Sequence, residues 1–204
     1  ALTGGTFSTL AQTSGDFRSI ASGDWNNTAT WERYNGTTWQ TGFWPTNQNA
    51  IAVTIQSGHT VTISANVTSD QVVINSGGQV TVSSGVTWTI NDGTGTDLTV
   101  SGTLSISGTV SPTGGPQYVV DGTVVNAGAI STSGSGSSFA FNAGSSYQHT
   151  QNAGTVPTAT WNAASTCEIA GTVGTVPAGL GQTFGNFIWD CPGHTGALNI
   201  NGLT

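Results

Sequence analysis

Apolar and hydroxyl-bearing residues alternate in short bursts along most of the chain: Val53-Thr54-Ile55, Val61-Thr62-Ile63, Val80-Thr81-Val82, Thr87-Trp88-Thr89-Ile90, Leu98-Thr99-Val100 and Leu104-Ser105-Ile106. A period of two sends alternate side chains to opposite faces of an extended strand, so each burst predicts a short, half-buried strand. Small turn residues follow at once, as in Ser57-Gly58, Ser76-Gly77, Ser84-Gly85, Ser101-Gly102, Ser107-Gly108 and Asn126-Ala127-Gly128. They predict a sharp bend after every strand.

The bursts also recur. Ile55-Gln56-Ser57-Gly58-His59-Thr60-Val61-Thr62-Ile63 aligns with Ile74-Asn75-Ser76-Gly77-Gly78-Gln79-Val80-Thr81-Val82 at a spacing of 19, and Phe141-Asn142-Ala143-Gly144-Ser145-Ser146-Tyr147 aligns with Trp161-Asn162-Ala163-Ala164-Ser165-Thr166-Cys167 at a spacing of 20. A unit this short cannot hide its apolar face alone, but coils stacked at the strand-pairing distance of about 4.8 Å share one narrow core. The expected fold is therefore all-β: a right-handed parallel β-solenoid, or β-helix. A β-sandwich would want longer strands, and a propeller a longer repeat. Coils are expected over residues 51–204 and beyond Thr204, about seven of them at roughly 22 residues each.

Residues 1–50 read differently. They carry four of the seven tryptophans, Trp25, Trp31, Trp39 and Trp44, with Tyr34 and Phe43. A solenoid end exposes unpaired strand edges and open core, so this aromatic-rich segment is expected to be an N-terminal cap.

Composition narrows the function. Charged residues make up 5% of the 204 residues, with net charge −7 and only Arg18 and Arg33 as cations. A nucleic-acid binder needs a basic stripe, so nucleic acid is not an expected partner. No apolar run of about 18 residues could span a bilayer, and membrane insertion is not expected. Val and Ile outnumber Leu, and Lys and Met are absent, which suits strands and leaves little from which to build a helix. Hydroxyl-rich surfaces of this kind, and a chain beginning at Ala1 without Met, point to an extracellular or cell-surface protein whose signal segment has been removed.

Several residues invite chemistry. Cys167 and Cys191 stand 24 apart, about one coil, so neighbouring coils could bring them within the 4.4–6.8 Å Cα separation of a disulfide. Asp92-Gly93-Thr94-Gly95-Thr96-Asp97 partly matches a calcium-binding β-roll turn, with Asp92 and Asp97 as the candidate Ca²⁺ ligands. It occurs once and its apolar residue is out of register, so a solvated turn is favoured and no cofactor is expected. The carboxylates after residue 50, Asp70, Asp92, Asp97, Asp121, Glu168 and Asp190, have spacings that do not stack them on one stripe, as a glycoside hydrolase would require. His59, His149 and His194 read as exposed turn histidines without the partners of a triad. Trp25, Trp31, Tyr34, Trp39 and Trp44, flanked by Asn and Gln, are candidates for stacking on sugar rings, or else the core of the cap.

Ser22-Gly23-Asp24-Trp25 through Trp31 and Pro45 to Ile55–Ile63 resembles the N-terminal β-helical region of large secreted and surface proteins of Bacteroidota, and Phe184-Gly185-Asn186-Phe187-Ile188-Trp189-Asp190-Cys191 looks like a recurrent coil of that group. The resemblance implies type IX secretion, with the secretion machinery as a transient partner, and roles in adhesion or surface coating. The expected function is a non-catalytic structural or adhesive segment, an adhesin-like repeat protein that contacts surface polysaccharide or other surface proteins. The alternative is a carbohydrate-binding module or an accessory region of a polysaccharide-degrading enzyme.

Overall fold

A computed structural model describes residues 12–131 and 136–198. The chain winds into a β-solenoid of about 6 turns. Parallel strands stack on three sides. The first sheet contains Phe17–Ser19, Val53–Ile55, Val72–Ile74, Leu98–Val100, Gln117–Val120, Ser138–Phe141 and Thr160–Trp161. A second runs from Gly23–Asp24 through Thr60–Ile63 to Asn186–Trp189, and a third has four strands, Val67–Ser69, Thr87–Asn91, Thr109–Thr113 and Ala129–Ile130. Among the described residues the only helical element is a three-residue 3₁₀ turn, Thr28–Thr30, whose Ala29 N–H is capped by the Asn27 side chain at 3.0 Å.

Register follows the sequence repeats. Ile55 pairs with Ile74 and Thr60 with Gln79, while Phe141 pairs with Trp161 and Tyr147 with Cys167. Like positions therefore lie one above another. On the first sheet Phe17, Val53, Val72, Leu98, Tyr118 and Phe139 form one buried column; on the second, Val61, Val80, Leu104, Val124, Tyr147 and Cys167 form another. Each aliphatic side chain buried this way contributes about 1.5–3 kcal/mol, and most of that burial is supplied by the coils above and below. Toward the C-terminal coils the columns become aromatic. Tyr118 stacks on Phe139 and Phe141 on Trp161, both pairs at 4.2 Å between ring centroids.

The region before residue 50 mixes cap and coil. Phe17–Ser19 already pairs in parallel with Val53–Ile55, and Gly23–Asp24 pairs with Val61 and Thr62, so a first coil opens there. Between them the chain leaves the winding as an antiparallel excursion, Trp31–Tyr34 against Phe17–Ser19 and Trp39–Gln40 against Trp31–Tyr34. Trp25 and Trp31 fill the open end of the core, both fully buried, 5.2 Å apart edge to face, with Trp88 of a later coil 5.9 Å from Trp25. Their indole N–H groups donate to the carbonyls of Pro45 (2.9 Å) and Trp25 (2.8 Å), and Trp88 donates to Ser69 Oγ (2.8 Å). Aromatic bulk closes the end at no cost in unpaired donors.

The coils are less uniform than a 22-residue period implies. Val53 pairs with Val72, 19 positions on, but Val72 pairs with Leu98, 26 positions on. Among the described residues from Gly136 on, no further strand joins the third sheet, and Thr155 and Ala178 form an isolated parallel bridge.

At the corner entering the second sheet, three successive coils carry glycine, Gly78, Gly102 and Gly122. A Cβ on Gly122 would fall on the Gly102 carbonyl oxygen, and one on Gly102 would fall on that of Gly78. Backbone cannot yield as a side chain can, so Gly122→Ala is expected to cost about 2 kcal/mol, lowering Tm by roughly 4–8 °C. Gly174, where an added Cβ meets nothing within 4 Å, is the control. Thermal denaturation followed by far-ultraviolet circular dichroism measures both.

Candidate functional site: an outer cleft and a carboxyl corner

The antiparallel excursion extends the first sheet beyond the first coil, and on the outward face of that junction lies a cleft of about 570 Å³. Strand alternation decides what faces it. In Phe17–Ser19 the outer residues point inward and Arg18 outward, beside Thr54 of the next strand. Trp39, opposite Tyr34 in the hairpin, reaches back so that the Arg18 guanidinium carbon lies 4.0 Å from its ring centroid. Arg18 Nε also donates to Glu32 Oε1. The guanidinium is thus held by a stacking contact and an ion pair at once. Gln56, directly after Val53–Ile55, and Gln71, Val73 and Asn75 of the next coil also line the cleft, as does Asp16. Gln71 takes a left-handed backbone (φ 47°), and its amide donates to the Thr94 carbonyl at 2.8 Å.

This geometry sorts the aromatic candidates. Trp25 and Trp31 are fully buried and cannot stack on a ligand. Tyr34 and Trp39 are half-buried, 5.3 Å apart, and Trp39 lines the cleft. Trp44 is 41% exposed and lines a smaller hollow of about 250 Å³ with Asn26, Asn47 and Asn66.

A second cluster sits at a corner between the third and first sheets. The 26-residue coil places Asp97 directly before Leu98, where its carbonyl accepts the Val72 N–H at 2.7 Å and its carboxylate accepts the N–H groups of Gly93 and Gln117, each at 2.7 Å. Asp97 is fully buried, and the Asp70 carboxyl lies near enough to feel its charge. Asp70 and Asp97 are thus brought near each other by the long coil, although they do not occupy the same register position. Asp70 lies directly over the Cα of Gly93, in space that only glycine leaves free. Burial raises the Asp70 pKa above its ordinary value, and the Asp97 charge and the Asp92 charge raise it further against the Gln71 backbone N–H. Asp70 Oδ1 and the neighbouring Tyr118 hydroxyl are buried without a hydrogen-bond partner. Asp92 is exposed, and no group of three or more potential metal ligands occurs among the described residues. With its carboxylate accepting two backbone N–H groups, Asp97 acts as the brace of a loop.

The expected disulfide is absent: Cys167 and Cys191 are both buried free thiols. The local coil is 20 residues, so Cys167 lies opposite Phe187, while Cys191 is four positions further along and donates its thiol to the Ile169 carbonyl at 3.2 Å. Burial pushes the Cys167 thiol pKa up to about 12. The histidines are also not exposed. His59 and His194 are half-buried, and His149 is fully buried. Asn126 donates to the Tyr147 hydroxyl (3.0 Å), Tyr147 to His149 Nδ1 (3.1 Å), and His149 Nε2 to the Ala153 carbonyl (2.6 Å), which assigns the Nε2–H tautomer. Burial lowers the His149 pKa, with the Ala153 carbonyl opposing. Alternation on the second sheet (Asn126, His149) could have revealed this inward polar column.

No protein-family model, curated protein or solved structure matches the chain. No helix among the described residues is long and apolar enough to cross a membrane.

Two outcomes follow from the corner and the thiols. The folded chain holds the Asp70 proton more tightly than the unfolded chain does, so the stability it contributes is complete below the ordinary value of 3.8 and is lost as pH rises through the raised value. Asp70→Asn, which removes a carboxylate from beside Asp97, is therefore expected to stabilise at pH 7. Its advantage over the parent should shrink toward pH 4 in paired melting curves. Thiol titration is expected to find two reactive sulfhydryls after denaturation without reductant, and almost none in the native chain.

Proposed function

We propose that this chain is a non-catalytic structural or adhesive segment of a secreted cell-surface protein, akin to the β-helical surface proteins of Bacteroidota and exported by type IX secretion. The observation that carries the reading is the outward face of the rod. Thr60, Gln79, Thr103, Thr123, Ser146, Thr166 and Asn186 form one continuous column of hydroxyls and amides along the second sheet. Such a column offers length, stiffness and repeated weak polar contacts, which suit adhesion to an extended surface. The motifs that resemble surface proteins also support it, since Trp25 and Trp31 serve there as the plug of a solenoid end.

The full chain, coupled to beads, tests the reading. Beads are expected to be retained on surface polysaccharide or on cell envelopes, while the same polysaccharides incubated with the chain release no new reducing ends and no unsaturated products. Turnover of any of them, or beads no stickier than uncoated ones, would overturn it. Protease treatment of intact producing cells checks location: surface exposure predicts digestion of the chain without lysis.

A further inference from the structure

The cleft at the Arg18 and Trp39 junction holds more unspent hydrogen-bonding capacity than its structural duties need. Arg18 uses Nε for Glu32 and its planar face for Trp39, and neither terminal nitrogen has a partner among the described residues. Gln56 donates Nε2 to the Ser19 carbonyl at 2.6 Å and keeps its side-chain oxygen as a free acceptor. The exposed Asn75 amide engages nothing among the described residues. Val73, Ala52 and the indole of Trp39 line the same cleft. A fixed donor fork, free amides and an apolar aromatic surface in a cleft of about 570 Å³ have the composition of a small-molecule site.

Charge selects among ligands. The cleft's one lining cation, Arg18, is already neutralised by Glu32, and Asp16 lines it too, in a chain of net charge −7, so an acidic ligand gains little there. A neutral polyhydroxylated ligand needs no charge partner and can both donate to and accept from the free groups. Length is available as well. Thr54, Val73, Thr99, Val119 and Ala140 continue outward from the cleft as one column along the first sheet, enough for several linked rings.

We propose that this cleft binds a neutral polysaccharide, with a pyranose ring against Trp39 and its hydroxyls on Arg18, Gln56 and Asn75. The proposal rests on the adhesive reading above and gives it a site and a ligand class.

Calorimetric titration of the full chain tests it, using hexamers of β-1,4-linked glucose, mannose and xylose alongside a hexamer of galacturonate. Binding of at least one neutral hexamer is expected, at least tenfold tighter than the galacturonate. Trp39→Ala should weaken it tenfold or more. Asn75→Ala, which removes an amide with no structural bond, should weaken it several-fold with unchanged Tm, and it carries the test should Trp39→Ala fold poorly. Binding to none of the neutral hexamers, preference for galacturonate, or affinity unmoved by Asn75→Ala and by a folded Trp39→Ala each overturns the proposal. Beads of the Trp39→Ala and Asn75→Ala chains separate the two readings. Retention equal to the parent's removes the cleft and leaves the adhesive rod, whereas failure of the parent beads removes the adhesive rod itself.

Discussion

Everything in this molecule depends on coil-on-coil pairing in register. No coil has a core of its own; a column such as Val61, Val80, Leu104 and Val124 is dry only because a strand lies on each side. The same parallel ladder that satisfies the backbone sets like over like, so hydrogen bonding and apolar burial are one constraint. This is how a chain with 35% hydrophobic residues folds without a thick interior. It also explains the habits of its corners, where neighbouring windings come so close that glycine becomes a requirement, as at Gly102 and Gly122.

Closing the ends of such a stack is a separate problem, and the two described ends differ. At the first, the indoles of Trp25, Trp31 and Trp88 fill the open core while their N–H groups reach carbonyls and a serine. The excursion that begins at Trp31 also builds the outer cleft, because it carries Trp39 back across the sheet onto Arg18. One antiparallel detour thus contributes to both cap and cleft. Toward the C-terminal coils, Phe184, Phe187 and Trp189 are only partly buried, although they pack on the same core.

Much of the fold was legible in the sequence because the turns repeat. Asn142 to Ser145 and Asn162 to Ser165 share one local device, in which the serine hydroxyl donates to the asparagine carbonyl at 2.7 Å in both copies. What failed to show was any feature that depends on coil length. A spacing of 24 looked like one winding for Cys167 and Cys191, but the local winding is 20 and separates them. Asp70 and Asp97 looked unrelated, yet a 26-residue winding brings them near each other. The cleft was only half visible: Trp39 stood out as an aromatic, but its partner Arg18 and the lining residues from Gln56 to Asn75 meet it only through pairing between distant strands. His149 was misread because a polar residue beside turn signals suggests solvent, whereas alternation turned it inward.

The placement of the seven indoles gives the rod a built-in optical reporter. Trp25, Trp31, Trp39, Trp44 and Trp88 lie toward one end, Trp161 and Trp189 toward the other, and the intervening windings between residues 89 and 160 contain none. Unravelling that begins at one extremity would shift emission in two separable stages, whereas a rupture in the middle would stay spectroscopically silent until it spread outward.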